Sequence, residues 1–466
     1  MNRILTCCVS VLFAAVLSYA GQPAMPPVEF SPTDRILVLA PHPDDEVIAT
    51  GGIIQQALKQ NLPVHVVFYT YGDNNEWAFT VYRGHPVFMP RSMQGMGMIR
   101  HGEALQADAA LGLSPTNLTF LGYPDFGTLI IWNAHWGDQP PFRSMLTRVT
   151  AVPYTNAFRY GAPYKGEEIL ADLKSVIRDF KPTKIFMSHP GDHNPDHRSL
   201  YLFTRIALWD MEKELQPEIV PFLVHYKKWP KPQGYNPDVT LVPPDLFKDT
   251  VEWKNFALAP TNVAVKHEAI RLHASQYAVS AAYLDSFIRP NELFGDFPIE
   301  PLQQADTDND AEVENEKDPD DVPELLTDEE RGSYIGIETR SMSLEGDRVV
   351  LTMELSRPLA REVQFSASFF GYRNDKPFGE MPKIRVNVGV TAMNILDQTH
   401  TLPADSCEVS RQARTITIKV PLALLGNPQR LLTSARTKLG EIPMDWTSWR
   451  ILEIQQATGF NAKGAE

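Results

Sequence analysis

The chain has 466 residues and a formal net charge of −14 at pH 7, enough length for two domains or slightly more. Of its 3 cysteines, Cys7 and Cys8 lie at the extreme N-terminus and only Cys407 lies beyond them, which excludes a disulfide framework and a thiolate-clustered structural zinc site. No basic patch stands out along the chain, so nucleic acid is not an expected partner.

Residues 1–20 carry one basic residue, Arg3, then an apolar run ending in small residues before Gly21. This is the pattern of a secretory signal peptide cut after Ala20, so the protein is expected to be exported to the periplasm or the exterior, with no transmembrane anchor after cleavage. From 28 to 300 strand and helix signals alternate. The apolar runs 35–40, 63–70, 117–121 and 184–187 read as strands. Residues 167–180 place apolar side chains at 169, 170, 173, 176, 177 and 180, one stripe of a helix. A late helix is expected around Lys266, Ile270, His273 and Tyr277, with His273 as a packed wall residue. This alternation predicts an α/β fold, a Rossmann-like and mostly parallel sheet with helices on both faces. Residues 128–164 interrupt it with aromatics among prolines and glycines, a packed cover or cleft wall.

Residues 306–330 hold 13 acids and one lysine, so the chain's negative charge belongs mainly to one segment. A like-charged, apolar-poor run extends as a linker, expected over 301–331. A calcium loop starting at Asp306 is disfavoured, because Ala311 and Lys317 stand where such a loop needs glycine and glutamate. Residues 332–460 then alternate with period two at 348–355, 363–370, 383–388 and 414–420, which predicts a C-terminal all-β sandwich-like accessory domain.

The chemistry concentrates at two strand ends. Behind the first strand stands Pro41-His-Pro-Asp-Asp-Glu46, where His42 and Asp45 lie three residues apart across the first turn of an expected helix. Both can face one ion while Asp44 points elsewhere, and open α/β sheets place ligands at the carboxyl ends of their strands. A catalytic zinc site needs three protein ligands and an open position. The third can come from Ser188-His-Pro-Gly-Asp-His-Asn-Pro-Asp-His-Arg198, behind the strand at 184–187. Asp196 there has two readings, orienting an imidazole or capping the following helix.

His-Pro-Asp-Asp-Glu after one strand and Pro-Asp-His-Arg after a later one resemble the LmbE/PIG-L family of zinc-dependent N-acetylglucosaminyl deacetylases. Arg100-His-Gly-Glu-Ala104, Leu121-Gly-Tyr-Pro-Asp125 and Lys266-His-Glu-Ala-Ile270 agree in order, so the resemblance covers roughly residues 34–300. It implies one Zn2+ per chain, with another divalent transition metal as the alternative, held by His42, Asp45 and His197, Asp44 as general base, and Arg100 and Asp125 touching an amino-sugar substrate. The family commonly has a histidine where this chain has Asn194, which can donate a hydrogen bond but not a proton. His193 is therefore expected as the proton donor, with His189 a weaker candidate and return of the proton by Asp44 an alternative. The implied function is an exported amidohydrolase removing N-acetyl groups from an N-acetylglucosamine-type sugar or glycoconjugate. The alternatives are a hydrolase of another amide or an ester, and a metal-containing carbohydrate-binding protein with weakened catalysis.

Overall fold

The structure is a computed structural model, and it describes residues 25–84, 88–305, 313–317 and 326–454. The expected signal peptide and most of the acidic run lie outside the described residues. In chain order the first part of the fold is β1 (Ile36–Ala40), α1 (Asp45–Lys59), β2 (Val64–Thr70), α2 (Glu76–Arg83), α3 (Pro90–Leu111), β3 (Leu118–Tyr123), α4 (Thr128–Ala134), α5 (Gly166–Phe180), β4 (Lys184–Ser188), α6 (Pro195–Asp210) and β5 (Glu218–Phe222). These five strands form a wholly parallel sheet in the order β3-β2-β1-β4-β5. Alternate residues of β1 leave on opposite faces. Ile36, Val38 and Ala40 join one core with α1 and α3, while Leu37 and Leu39 join another with α5 and α6. Both faces are thus covered, which is why the strands read as continuous apolar runs.

β5 has no counterpart among the strands expected from sequence. Pro221 stands inside it, and proline weakens any strand signal; it is tolerated because β5 is an edge strand. After β6 (Glu252–Ala257), the expected late helix is two helices, α7 (Pro260–Leu272) and α8 (Ala274–Asp285). The break falls at His273, whose ψ of 58° is not helical, and whose Nε2 meets Glu46 Oε1 at 2.9 Å. A buried ion pair to α1 therefore fixes the corner. β7 (Asn291–Asp296) pairs antiparallel with β6.

The second unit contains β8 (Glu300–Leu302), β9 (Val313–Asn315), α9 (Asp328–Gly332), β10 (Ile337–Glu345), β11 (Arg348–Leu355), β12 (Val363–Tyr372), β13 (Lys383–Val388), β14 (Met393–Asp397), β15 (His400–Leu402), β16 (Glu408–Gln412), β17 (Thr415–Pro421), β18 (Arg430–Leu439), β19 (Ile442–Trp446) and β20 (Arg450–Ile454). Two sheets, β16-β17-β11-β10-β9 and β15-β14-β13-β12-β18-β20-β8 with β19 beside β18, enclose an apolar core. Two pieces of the stretch read as a linker are strands of these sheets, β8 and β9. Glu314 and Glu316 flank the buried Arg340 at 2.7 Å each, so part of the acidity is used in ion pairs rather than in extending the chain.

The larger sheet has a second packed face. Phe365, Ala367 and Phe369 of β12 point into the sandwich core, whereas Phe370 joins the core of the α/β unit. Trp132 of α4 meets Phe378, Phe370 and Trp449 at ring distances of 5.0, 5.8 and 6.3 Å. The aromatic connection after β3 is thus mainly packing, with Trp132 and Trp136 fully buried between the units.

Candidate metal centre

The carboxyl ends of β1 and β4 lie side by side at the centre of the sheet, on either side of the reversal in strand order. This is where a doubly wound sheet opens a crevice. The turn after β1 supplies His42, Asp44 and Asp45. His42 Nδ1 and His197 Nε2 each lie 3.0 Å from Asp45 Oδ2, and all three side chains are buried. A fourth group joins them from the loop after β5: His225 Nε2 is 4.0 Å from Asp45 Oδ1. The donor atoms of His42, Asp45, His197 and His225 lie within 4.8 Å of one another.

The contacts inside this cluster leave two of its atoms unsatisfied. His197 Nε2 and Asp45 Oδ1 are buried and have no hydrogen-bond partner, although His197 Nε2 sits 3.0 Å from a carboxylate oxygen. Donor atoms gathered this closely fit a cation, and two imidazoles with a carboxylate are a zinc-type donor set. The backs of the two rings are held as metal-binding imidazoles usually are. His42 Nε2 faces Asp125 Oδ1 at 3.1 Å and Asp196 Oδ2 at 3.2 Å, and His197 Nδ1 faces Asp192 Oδ2 at 3.2 Å and Ser188 Oγ at 3.1 Å.

Asp192 is a residue that sequence reasoning passed over. Its carboxylate accepts from the backbone N–H of Asn194, Val224 and His225, so it ties the loop after β4 to the loop after β5. Against its burial, the adjacent His197 first, then His225 and the Asn194 N–H, hold its pKa down at about 2. His225 was also missed. Its only sequence signal is a histidine just beyond a strand end, and that strand was itself hidden by Pro221.

Asp196 accepts from Phe126 N–H at 2.6 Å and from the Thr128 hydroxyl in addition to facing His42. The cap of α6 is Asn194, whose Oδ1 accepts from Asp196 N–H at 2.8 Å. His193 lies outside the cluster: its ring packs at 4.7 Å from Tyr226 and 5.0 Å from Trp446. His189 is buried beside Trp253 and Phe297, and its Nδ1 accepts from Gly191 N–H. Burial pushes its pKa down to about 3.

Arg100 and Asp125, expected to touch substrate, both contact protein groups, while Arg100 Nε and Asp125 Oδ1 have no hydrogen-bond partner. Each residue is 4% exposed. Arg100 donates to Gly72 O, Pro43 O and Asp44 Oδ1, and Asp125 accepts from Asn74 N–H while facing His42. The physical reason is placement: the inner face of α3 aims Arg100 at the β1–α1 turn. Gly72 permits this approach, since a Cβ there would stand 2.0 Å from the guanidinium. Asp44 itself has φ 131°, a conformation that side-chain-bearing residues rarely adopt. Burial raises its pKa to about 6, opposed by Arg100 and reinforced by Asp45.

Residues 37–208 match a family model described as PIG-L, GlcNAc-PI de-N-acetylase. This segment is a PIG-L domain. The curated relatives include 1D-myo-inositol 2-acetamido-2-deoxy-alpha-D-glucopyranoside deacetylases. The one from Gordonia bronchialis is 37% identical over 183 residues, covering 37% of this chain and 56% of that protein. Another, from Mycobacterium sp. strain KMS, is 27% identical over 185 residues, covering 38% and 53%. The chain therefore spans about half the length of the curated relatives it matches. Among solved structures, the N,N'-diacetylchitobiose deacetylase of Pyrococcus horikoshii shares 19% identity over 54% of this chain and 75% of that chain, with a TM-score of 0.32. The PIG-L segment ends within α6, so β5, His225 and the β-sandwich lie beyond it.

Proposed function

We propose that the protein is an exported, zinc-dependent N-deacetylase that hydrolyses the acetamide of an N-acetylglucosamine-type sugar or glycoconjugate. The observation that carries this reading is the buried His42, Asp45, His197 set with Asp44 beside it. It is supported by the deacetylase names of the relatives of the PIG-L domain. Export rests on residues 1–20 and is tested by sequencing the mature N-terminus.

His42, Asp45 and His197 would hold the ion. When bound, a divalent metal there supplies Lewis-acid polarisation of the amide carbonyl and makes water a better acid. The remaining chemistry belongs to side chains. Asp44, the buried carboxylate next to Asp45, takes the proton of the attacking water. Burial and the neighbouring His197 push the His225 pKa down to about 4, so at pH 7 it is a neutral imidazole. Its Nδ1 contacts the Tyr283 hydroxyl at 3.2 Å, and in the tautomer in which that hydroxyl donates to Nδ1, Nε2 carries the proton and donates to the oxygen that gains charge as the carbonyl is attacked. With His193 outside the cluster, Asp44 returns the proton to the departing amine.

Acetate release from a set of N-acetylated amino sugars, assayed with and without added Zn2+, is the test. Zinc-dependent release is the expected result. No release from any N-acetyl sugar by fully metal-loaded protein would overturn the reading in favour of a carbohydrate-binding role.

A further inference from the structure

Beside the metal centre lies a cavity of about 410 Å³ with walls from both units. Phe126, which lines it, stacks against His42 at 6.5 Å, so the cavity and the metal cluster share a wall. On the α/β side His193, Pro195 and Arg198 flank the ligand His197 in sequence. The opposite wall is the outer face of the larger sandwich sheet. The strand register places Ser366 opposite Arg436 and Ser368 opposite both Arg385 and Ser434, so these five side chains share one face. Further along that face Phe370 and Leu432 seal the contact with the α/β unit. The face thus changes from apolar to cationic where it reaches the cavity.

Three guanidiniums converge here, and the acids that act on them, Asp192 and Asp196 on Arg198 and Glu441 on Arg436, lie outside the cavity lining. No Asp or Glu is among the residues lining the cavity. Arg385 donates to the Gln398 carbonyl, and Arg198 lies over the Trp446 ring at 5.2 Å and donates weakly to His193 O. The Nε atoms of Arg198 and Arg385 are buried without a hydrogen-bond partner. Arg436 forms no ion pair among the described residues, and its charge opposes those of both Arg198 and Arg385. Collecting like charges in a partly buried space is unfavourable until an anion enters, and guanidinium forks match carboxylate and phosphate oxygens. The cavity volume suits a sugar-sized ligand. Trp446 offers it an aromatic face, and the hydroxyls of Ser366 and Ser368 offer hydrogen bonds.

We propose that this inter-unit cavity is a binding subsite for a negatively charged sugar unit, bearing a carboxylate or a phosphate, within the substrate whose acetamide reaches the metal centre. The proposal rests on the deacetylase reading for that second half, so its test uses sugars that have no acetyl group. Glucuronate, glucose 6-phosphate and glucose are titrated calorimetrically into the mature, metal-loaded protein. At least one of the two anions should bind about tenfold or more tightly than glucose, the better one identifying the oxyanion. Arg436→Gln and Arg385→Gln should each weaken that binding by about tenfold, the scale of one lost charge-assisted hydrogen bond. Both side chains are partly exposed, and an unchanged Tm certifies each fold. Should one variant unfold, the other carries the comparison. Equal affinity for all three sugars, or anion binding untouched by both substitutions, would overturn the proposal. Failure of acetate release would leave this binding difference standing, so the two readings fail separately.

Discussion

Arg100 Nη2 lies 3.3 Å from Asp44 Oδ1 and donates to Pro43 O at 2.7 Å. One side chain from α3 thus holds both the backbone and the carboxylate of the turn that presents the base. It also biases the base's charge, because its cation opposes the rise that burial imposes on the Asp44 pKa. In Arg100→Gln that opposition is gone, the Asp44 pKa rises, and the carboxylate exists only at higher pH. The acid limb of kcat/KM should move up by roughly one pH unit. Arg100→Lys, which keeps a charge, should restore much of it. A limb that stays in place while Tm falls would reduce Arg100 to a structural prop.

The backbone at Asp44 makes a second expectation. A side-chain-bearing residue at φ 131° costs on the order of 1–3 kcal/mol, and such strain is tolerated where geometry matters more than stability. Asp44→Gly should therefore leave thermal stability equal or higher, the relief offsetting the lost Arg100 contact. The same change should lower turnover by ~10²–10⁴-fold, the usual cost of removing a general base. A clear fall in Tm would sink the strain argument, and retained turnover would move the base elsewhere.

Metal uptake should release protons. Although burial opposes it, Asp192 and Asp45 hold the His197 pKa at about 9, and Asp125, Asp196 and Asp45 raise that of His42. Without metal both rings are charged at pH 7, whereas imidazole binds a metal only when neutral. Zinc binding at pH 7 should displace both protons, measured by calorimetry in buffers of different ionisation enthalpy. A raised histidine pKa also stabilises the metal-free fold below the unfolded value near 6.5, and this contribution is lost as pH rises through 9. The metal-free Tm should accordingly decline from pH 6.5 to 9 while the loaded Tm holds. Zinc uptake without proton release at pH 7 would contradict the assignment of the ligands.

His225 and His193 make a paired comparison. His225→Gln should reduce kcat by about 10²-fold or more, as expected on losing a donor to developing negative charge. His193→Ala, which alters only the wall of the adjoining cavity, should leave kcat within a few-fold and act on KM. The reverse pattern would return the role to His193.

Much of this architecture is readable in the chain itself. The apolar run 36–40 followed at once by His42, Asp44 and Asp45 marks a strand end loaded with metal-capable groups, because strand, turn and helix start are all local. The same holds for Lys184–Ser188 and His197, and for the period-two strands of the sandwich. What local pattern cannot convey is which distant groups meet. Asp192 and His225 come together only because β5 pairs with β4 and sets one loop against the other. Arg100 meets Asp44 because α3 packs against that turn, a matter of helix placement and not of residue type. The arginine face of the larger sheet is likewise invisible in sequence, where Arg385 and Arg436 stand far apart amid alternating strands. Sequence determined the chemistry at each strand end, since covalent neighbours and short-range hydrogen bonds fix it. Only tertiary packing decided its partners, because burial against a second unit, not local propensity, selects which side chains share a wall.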